Sequence, residues 1–515
     1  MGTTGPIPRL TRSTPFLPLD ILEGRAYFRL MQLKIVFKKL AFAAILAAPI
    51  PLLIARPATA QDAVGVEAPP AVEQVPPADP DSPPADAPPA VADVPPPAPG
   101  PIVELPDEAP PSELTAPGRS IEDRDLVRGL RDYRFDQAGA SGSVLGGYGE
   151  LHYNLELPEG GDSDATLDLH RLVFFAAHKF SDQFRLYAEI EIEHAFSSLE
   201  DAAPGELAVE QAYLDWQPWG EALGLRAGIV IVPMGIINQW HEPPVFHGVE
   251  RPRVDKLIIP ATWREGGIGI FGEPVEGLRY ELYLVGGLNA GRFDAEANIR
   301  EGRQSVAEAS VNGPAVTGRV EWEPMLGVVL GGSAYYGLSG PNADDMFGLV
   351  GRNVVTGEPI VEKLELAVPV LGLEADVRAR LHGFEARAVF ATFSVGDTAG
   401  LRQAVDPASG DSLGYDVGAR SLGAYAEVAY DVLRLATGTE QQLLPFVRVE
   451  YYDTMAGLSG RARTPADDTF RFTDVVFGLS YRPILQVVLK ADFILRTPGS
   501  GPTNRLVDVG VGWMF

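Results

Sequence analysis

Residues 184–194 alternate. Phe184, Leu186, Ala188, Ile190 and Ile192 fall on one face of an extended chain, and Arg185, Tyr187, Glu189, Glu191 and Glu193 fall on the other. Side chains in a strand swap faces at every residue, so the pattern predicts a strand with one apolar and one charged face. The same rhythm returns at 371–382. There Leu371, Leu373, Ala375, Val377, Ala379 and Leu381 oppose Glu374, Asp376, Arg378, Arg380 and His382. At 485–496, Leu485, Val487, Leu489, Ala491, Phe493 and Leu495 oppose Gln486, Lys490, Asp492 and Arg496. In the last ten residues Val507, Val509, Val511, Trp513 and Phe515 oppose Leu506, Asp508, Gly510, Gly512 and Met514.

About sixteen such runs follow one another, near 142–157, 165–180, 183–196, 206–219, 222–232, 264–274, 276–287, 313–323, 326–337, 364–381, 383–395, 418–432, 443–454, 470–482, 485–497 and 504–515. Alternation fits two solvents. A soluble sandwich puts the apolar face inward; a membrane barrel turns it to lipid and its charges to an aqueous lumen. Length favours the barrel: the runs are about 10–14 residues, against ~5–6 in soluble sheets and ~9–11 for a tilted membrane strand. The expected fold is all-β, a transmembrane antiparallel β-barrel of about sixteen strands, the size that leaves a water channel. Tyr213, Trp216, Trp219, Tyr335, Tyr336, Tyr451, Tyr452, Tyr481, Trp513 and Phe515 sit near strand ends, where interfacial girdles want rings.

Composition narrows the chemistry. Asp and Glu number 69 against 42 Lys and Arg, for a net charge of −27, which argues against nucleic acid as a partner. With no Cys, disulfides, thiolate metal sites and a Cys nucleophile are excluded. Outside the N-terminal region no apolar run approaches the ~18–20 residues of a membrane helix, so spanning requires a closed barrel.

Four segments precede the barrel domain, 141–515. Residues 31–60 read as a secretory signal peptide, with Lys34, Lys38 and Lys39 before an apolar stretch and Ala58-Thr59-Ala60 as the cleavage site. Residues 1–30 lie upstream of it and are expected to be a non-native extension, with Met31 the start. Residues 61–117 are acidic and Pro/Ala-rich and should stay extended and disordered in the periplasm, as a plain tail or a spacer touching the cell wall. Residues 118–140 predict a short periplasmic helix, with Ser120 able to cap it.

One connection stands out. Residues 233–265 join the fifth and sixth runs and carry five prolines, several aromatics and many charges. Long loops in compact folds are usually functional or disordered, and this one has too many hydrophobic groups for a solvated loop. The chain here resembles the phosphate-selective porin O and P family of bacterial outer membranes or its close relatives. The resemblance runs through Gly147-Tyr148-Gly149-Glu150-Leu151-His152-Tyr153, Asp168-Leu169-His170-Arg171, Glu210-Gln211-Ala212-Tyr213-Leu214-Asp215, Arg226-Ala227-Gly228, Gly235-Ile236-Ile237-Asn238, Glu242-Pro243-Pro244, Glu250-Arg251-Pro252 and Trp263-Arg264-Glu265. It implies a sixteen-stranded porin, often trimeric, whose third extracellular loop folds inward as a constriction. The final aromatic, Phe515, looks like the signal read by the barrel-assembly machinery in that group. The constriction is expected to comprise Arg226, His241, Glu242, His247, Glu250, Arg251, Arg253, Asp255, Lys256, Arg264 and Glu265. Arg185, Glu189, Glu191, Glu193, Arg378, Arg380, Arg387, Lys490 and Asp492 are expected to face the lumen.

Family members that select phosphate carry a run of arginines and lysines, whereas here charges of both signs are mixed. A general or cation-leaning pore is the expectation. His241 and His247 with Glu242 and Glu250 could imitate a metal site, but no helical His pair appears, so no metal and no cofactor is expected. No phosphate-binding Gly loop or nucleophile elbow is present, so an enzyme is not expected. The function that follows is passive diffusion of small hydrophilic solutes or ions across the outer membrane. A phosphate or anion channel, a membrane-to-wall anchor and a barrel enzyme hydrolysing lipid or peptide stay open as alternatives.

Overall fold

The computed structural model describes residues 142–195, 205–343, 346–414, 416–436 and 439–515. The expectations for 1–30, 31–60, 61–117 and 118–140 fall outside these residues.

The strands are β1 (Gly142–Pro158), β2 (Asp164–Lys179), β3 (Phe184–Glu193), β4 (Leu207–Trp216), β5 (Gly224–Ile231), β6 (Arg264–Val275), β7 (Leu278–Val285), β8 (Ala315–Met325), β9 (Val328–Leu338), β10 (Phe347–Arg352), β11 (Pro359–Lys363), β12 (Pro369–Leu381), β13 (Phe384–Val395), β14 (Ala404–Val405), β15 (Arg420–Tyr430), β16 (Gln442–Gly457), β17 (Arg471–Ile484), β18 (Val487–Pro498) and β19 (Asn504–Met514). Sixteen of them form a closed antiparallel barrel, each beside its neighbour in that order. β10, β11 and β14 form a separate small sheet in the connections that follow β9 and β13. β1 and β19 close the ring in a register running from Tyr148 opposite Met514 to Pro158 opposite Asn504. Phe515 completes it by donating N–H to Gly147 O at 2.8 Å and accepting from Gly147 N at 2.9 Å. Closure removes both edges, so every wall strand has two partners.

The faces resolve the two readings of the alternation. In β12, Glu374 and Asp376 are 5% and 7% exposed, whereas Leu371 and Leu373 are 44% and 47% exposed. Leu186, Ile190, Leu282, Phe390, Phe477 and Leu489 also look outward and are exposed. A sandwich in water has the opposite arrangement. An apolar belt around the whole barrel, with charge enclosed, suits a hydrocarbon surround.

The two ends differ. At the end where β1 begins and β19 finishes, β6–β7, β8–β9, β12–β13 and β17–β18 are joined by tight turns. His382 and Gly383 form one of them, with φ of 53° and 87°, the pair of left-handed residues that lets two twisted strands reverse. The long connections lie at the other end.

Three aromatics assigned to the girdle turn inward instead: Tyr213, Tyr335 and Tyr452 are buried inside the barrel. They pack with Val232, Met234, Ile236, Phe246, Val254, Ile258 and Trp263 from the β5–β6 connection. The barrel thus has an internal hydrophobic core, to which the β5–β6 loop contributes heavily and the β7–β8 connection adds Leu288, Phe293 and Ile299. The β10–β11–β14 sheet is a further feature that alternation did not predict.

Candidate functional site: the loop inside the lumen

The β5–β6 loop is tied at its neck. Val232 N–H donates to Trp263 O at 2.8 Å. Buried Asn238 donates to Val232 O and accepts from Trp263 N, both at 2.7 Å. From there the loop crosses to the opposite wall. The turn Pro243–Val245 packs against β1, β18 and β19, and the π-helical turn Val254–Ile258 packs against β13, β15 and β16.

The far wall is shaped to receive it. A Cβ on Gly512 would stand 2.4 Å from the Pro243 side chain, and one on Gly423 would stand 2.8 Å from Ile258. The small face of the last strand is therefore a seat. Polar groups of the wall then fasten the backbone. Arg482 donates to Pro244 O at 2.8 Å, Arg387 to Val245 O at 3.0 Å and Lys490 to Gly248 O at 2.8 Å. Ser480 donates to His247 O at 2.7 Å, and Val249 N–H donates to Asp492 at 2.7 Å. Lys490 also lies 3.6 Å above the Phe246 ring. These bonds satisfy main-chain groups that could otherwise not be buried.

His247 sits between two carboxylates, 2.7 Å from Glu427 and 3.0 Å from Glu385. His241 lies 3.5 Å from Glu210. Burial disfavours the charged imidazole of His241, but the Glu210 carboxylate outweighs it and lifts the group to about 9. The two loop histidines thus face different walls and form no common site. Glu242 is buried beside Glu189 and Gln211 at a gap of about 30 Å³. Glu250 reaches His152 at 3.1 Å and Asn154 at 3.2 Å. Asp255 is fully buried, and burial pushes its carboxyl up to about 7. Glu265 accepts from Trp263 Nε1 at 3.4 Å, and Arg264 reaches Glu206 at 3.5 Å.

Wall charges largely cancel in pairs. Arg226 forms two 2.6 Å bonds to Asp215 and stacks over Tyr213. Arg319 binds Glu374 and Asp376, and Arg378 binds Glu321. Arg380 binds Glu385, while Arg387 lies 3.1 Å from Glu427. Glu191 lies 3.5 Å from Arg171, and Glu189 accepts from Gln211 at 2.6 Å. Arg185 lines the cavity at the short-turn end, and Glu193 lines one at the long-loop end. The loop cations differ. Arg251 donates to Thr262 Oγ1 and His241 O, both neutral. Among the described residues, Arg253 and Lys256 meet no carboxylate at ion-pair distance.

The loop divides the lumen. A cavity of about 450 Å³ opens on the short-turn side, by Arg226, Arg279 and Glu281. Two of about 240 and 270 Å³ lie on the long-loop side, around Glu250, Arg251 and Lys256. The gap by Glu242 and His241 adjoins the inner cavity at Arg226, Gln239, Trp240 and Glu281.

Together these features define a class: a sixteen-stranded antiparallel barrel with its apolar face outward and its third long-end loop folded across the lumen. Within it, the chain belongs to the family of a protein of Aquifex aeolicus (strain VF5) described as uncharacterized. The two are 34% identical over 377 residues, 73% of this chain and 80% of that one. No protein-family model matches the chain. Among solved structures it is similar to Salmonella typhi OmpF in complex with daunomycin, at 11% identity and a TM-score of 0.47, covering 73% of this chain and 98% of that one. It is similar also to the outer membrane channel DcaP of Acinetobacter baumannii, at 11% identity and a TM-score of 0.45, covering 73% and 98%. The anion-selective porin from Comamonas acidovorans gives 11% identity and a TM-score of 0.45, covering 73% and 100%.

Proposed function

We propose that the protein is a passive channel of the bacterial outer membrane for small hydrophilic solutes or ions. The observation that carries this reading is the inverted barrel: charge inside, hydrocarbon-facing side chains outside, and polar cavities on both sides of a fixed loop. By the usual asymmetry of such barrels, the short-turn end, where β1 begins and β19 finishes, faces the periplasm. A solute would enter the outer cavities, skirt the loop near Trp240 and Glu242, and leave through the inner one. No covalent step or energy input is needed. The gap there, about 30 Å³, is far smaller than the inner cavity of about 450 Å³ that it adjoins, so single-channel conductance should be small.

A second reading, anion preference, has its own support. Many wall carboxylates are paired with wall arginines, such as Glu374 and Asp376 with Arg319, whereas Arg251, Arg253 and Lys256 bring cations without such partners to the outer cavities. The net acidity of the chain is therefore a poor guide to the charge a solute meets. Refolded protein in planar bilayers under a salt gradient tests both readings. Small steps with a reversal potential near zero or on the cation side support the general channel. A reversal potential on the anion side, abolished by Arg253→Ala with Lys256→Ala, supports the selective one. A correctly folded barrel that carries no current sinks both.

A further inference from the structure

Three of the seven histidines, at 152, 170 and 194, meet at the outer cavities. Asp168 Oδ2 lies 3.2 Å from His170 Nδ1 and 2.8 Å from His194 Nδ1. The His152 ring stacks on His170 at 4.8 Å, with 16° between planes, and its Nδ1 lies 3.1 Å from Glu250. Two overlapping sets result, Asp168–His170–His194 and His152–His170–Glu250. Within each, ligand atoms lie inside 4.8 Å of one another.

The backbone contributes a second observation. In the β1–β2 ladder Glu150 faces Arg171 and Leu151 faces Leu169, so His170 is the extra residue of a bulge. Bulges re-aim side chains, often beside functional sites. Here the bulge lets His170 and Arg171 both line the same outer cavity, although they are consecutive. Regular alternation would have sent one of them outward.

We propose that Asp168, His170 and His194 bind a divalent first-row transition-metal ion of the zinc, cobalt or nickel kind, with His152 and Glu250 as an adjoining pair. Imidazole and carboxylate are the donors these ions take, at bonds of ~2.0–2.2 Å, which place neighbouring tetrahedral donors ~3.3 Å apart. The spacings around Asp168 are already of that order. The side chains of Asp168, His170 and His194 are 27%, 18% and 40% exposed, so an ion can reach them and keep a water. Arg251, Arg253 and Lys256 line the same space, and Arg171 is held by Glu150 at 2.6 Å. Their positive charge opposes a cation, so the site has to work through direct ligation and not through field strength. Glu250 belongs to the lumenal loop, so an ion shared with it would bind loop to wall. The site goes beyond the channel reading and does not depend on it.

The test is Co²⁺ titration of the refolded full barrel in detergent, followed by visible d–d absorption and calorimetry. The expected result is one saturable equivalent whose bands signal nitrogen and oxygen ligation. Affinity should fall at least tenfold in His170→Ala and in Asp168→Asn, and should be unchanged in His382→Ala at the opposite end. Folding of each variant is checked by heat-modifiable gel migration, and His194→Ala replaces any that fails. Absence of saturable uptake overturns the proposal. So does uptake that survives both Asp168→Asn and His194→Ala. Channel currents recorded separately report on the conduction reading alone.

Discussion

At the residue scale, Asp255 is the most exposing test of the buried loop. Its carboxyl is pushed up to about 7 from 3.8 by burial, against a Tyr425 hydrogen bond that lowers it. A group raised in the folded state favours folding below its unfolded value and costs stability as pH climbs through the folded one. The contribution of Asp255 to stability should therefore decline between pH 4 and 7. Asp255→Asn should flatten that decline and leave the variant more stable at pH 8 by about 2–4 kcal/mol; denaturant midpoints at several pH values read it. The lifted value of His241 acts in the same direction at higher pH, its contribution being lost as pH rises through about 9. Single residues were partly legible in the sequence. Alternation sets Glu374 and Asp376 on one face, opposite Leu371 and Leu373, from parity alone, and burial shows that face to be the inner one. It cannot place Tyr213, Tyr335 and Tyr452, because an aromatic fits either a lipid interface or a lumenal core. Nor can it see that His152, His170 and His194 meet, since strand register and a bulge bring them together.

At the element scale, the wall strands were legible and most of their ends nearly so: a run expected at 165–180 spans Asp164–Lys179, whereas one expected at 364–381 starts only at Pro369. β10, β11 and β14 escaped because they are short, and Gly351 and Pro359 blur their alternation. The loop stood out through its prolines and rings, but its anchors lie on strands far along the chain. Those anchors make it testable. Gly512→Val adds bulk where Pro243 sits, with backbone geometry a strand accepts. The barrel should still form, and the displaced loop should raise conductance several-fold. Lys490→Met removes the bond to Gly248 O and the charge over Phe246. The bonds after Arg253 and Lys256 should then become cleavable by trypsin in the folded barrel, while the parent resists there. Resistance unchanged in Lys490→Met would mean the remaining wall bonds suffice.

At the scale of the whole molecule, the decisive fact is which solvent each face meets. The sequence carries the period but not the sign, because lipid outside and water outside produce the same alternation; strand length tipped the balance before burial resolved it. Closure rests on β1 and β19, with Phe515 bonded to Gly147 in both directions. Deleting 506–515 should leave two open edges, and no heat-modifiable barrel should be recovered on refolding into detergent. Deleting Phe515 alone should slow folding and leave the final barrel intact, as gel-shift kinetics would register.

The seat for Pro243 on Gly512 belongs to the strand made last, whereas the loop that fills it is made less than halfway along the chain. The loop cannot be fully docked until the C-terminal strand arrives. Completion of the wall and final seating of the loop are thus coupled. The narrowing of the lumen is set only when the ring is whole, so a barrel lacking its last strand would hold this loop less firmly across its bore.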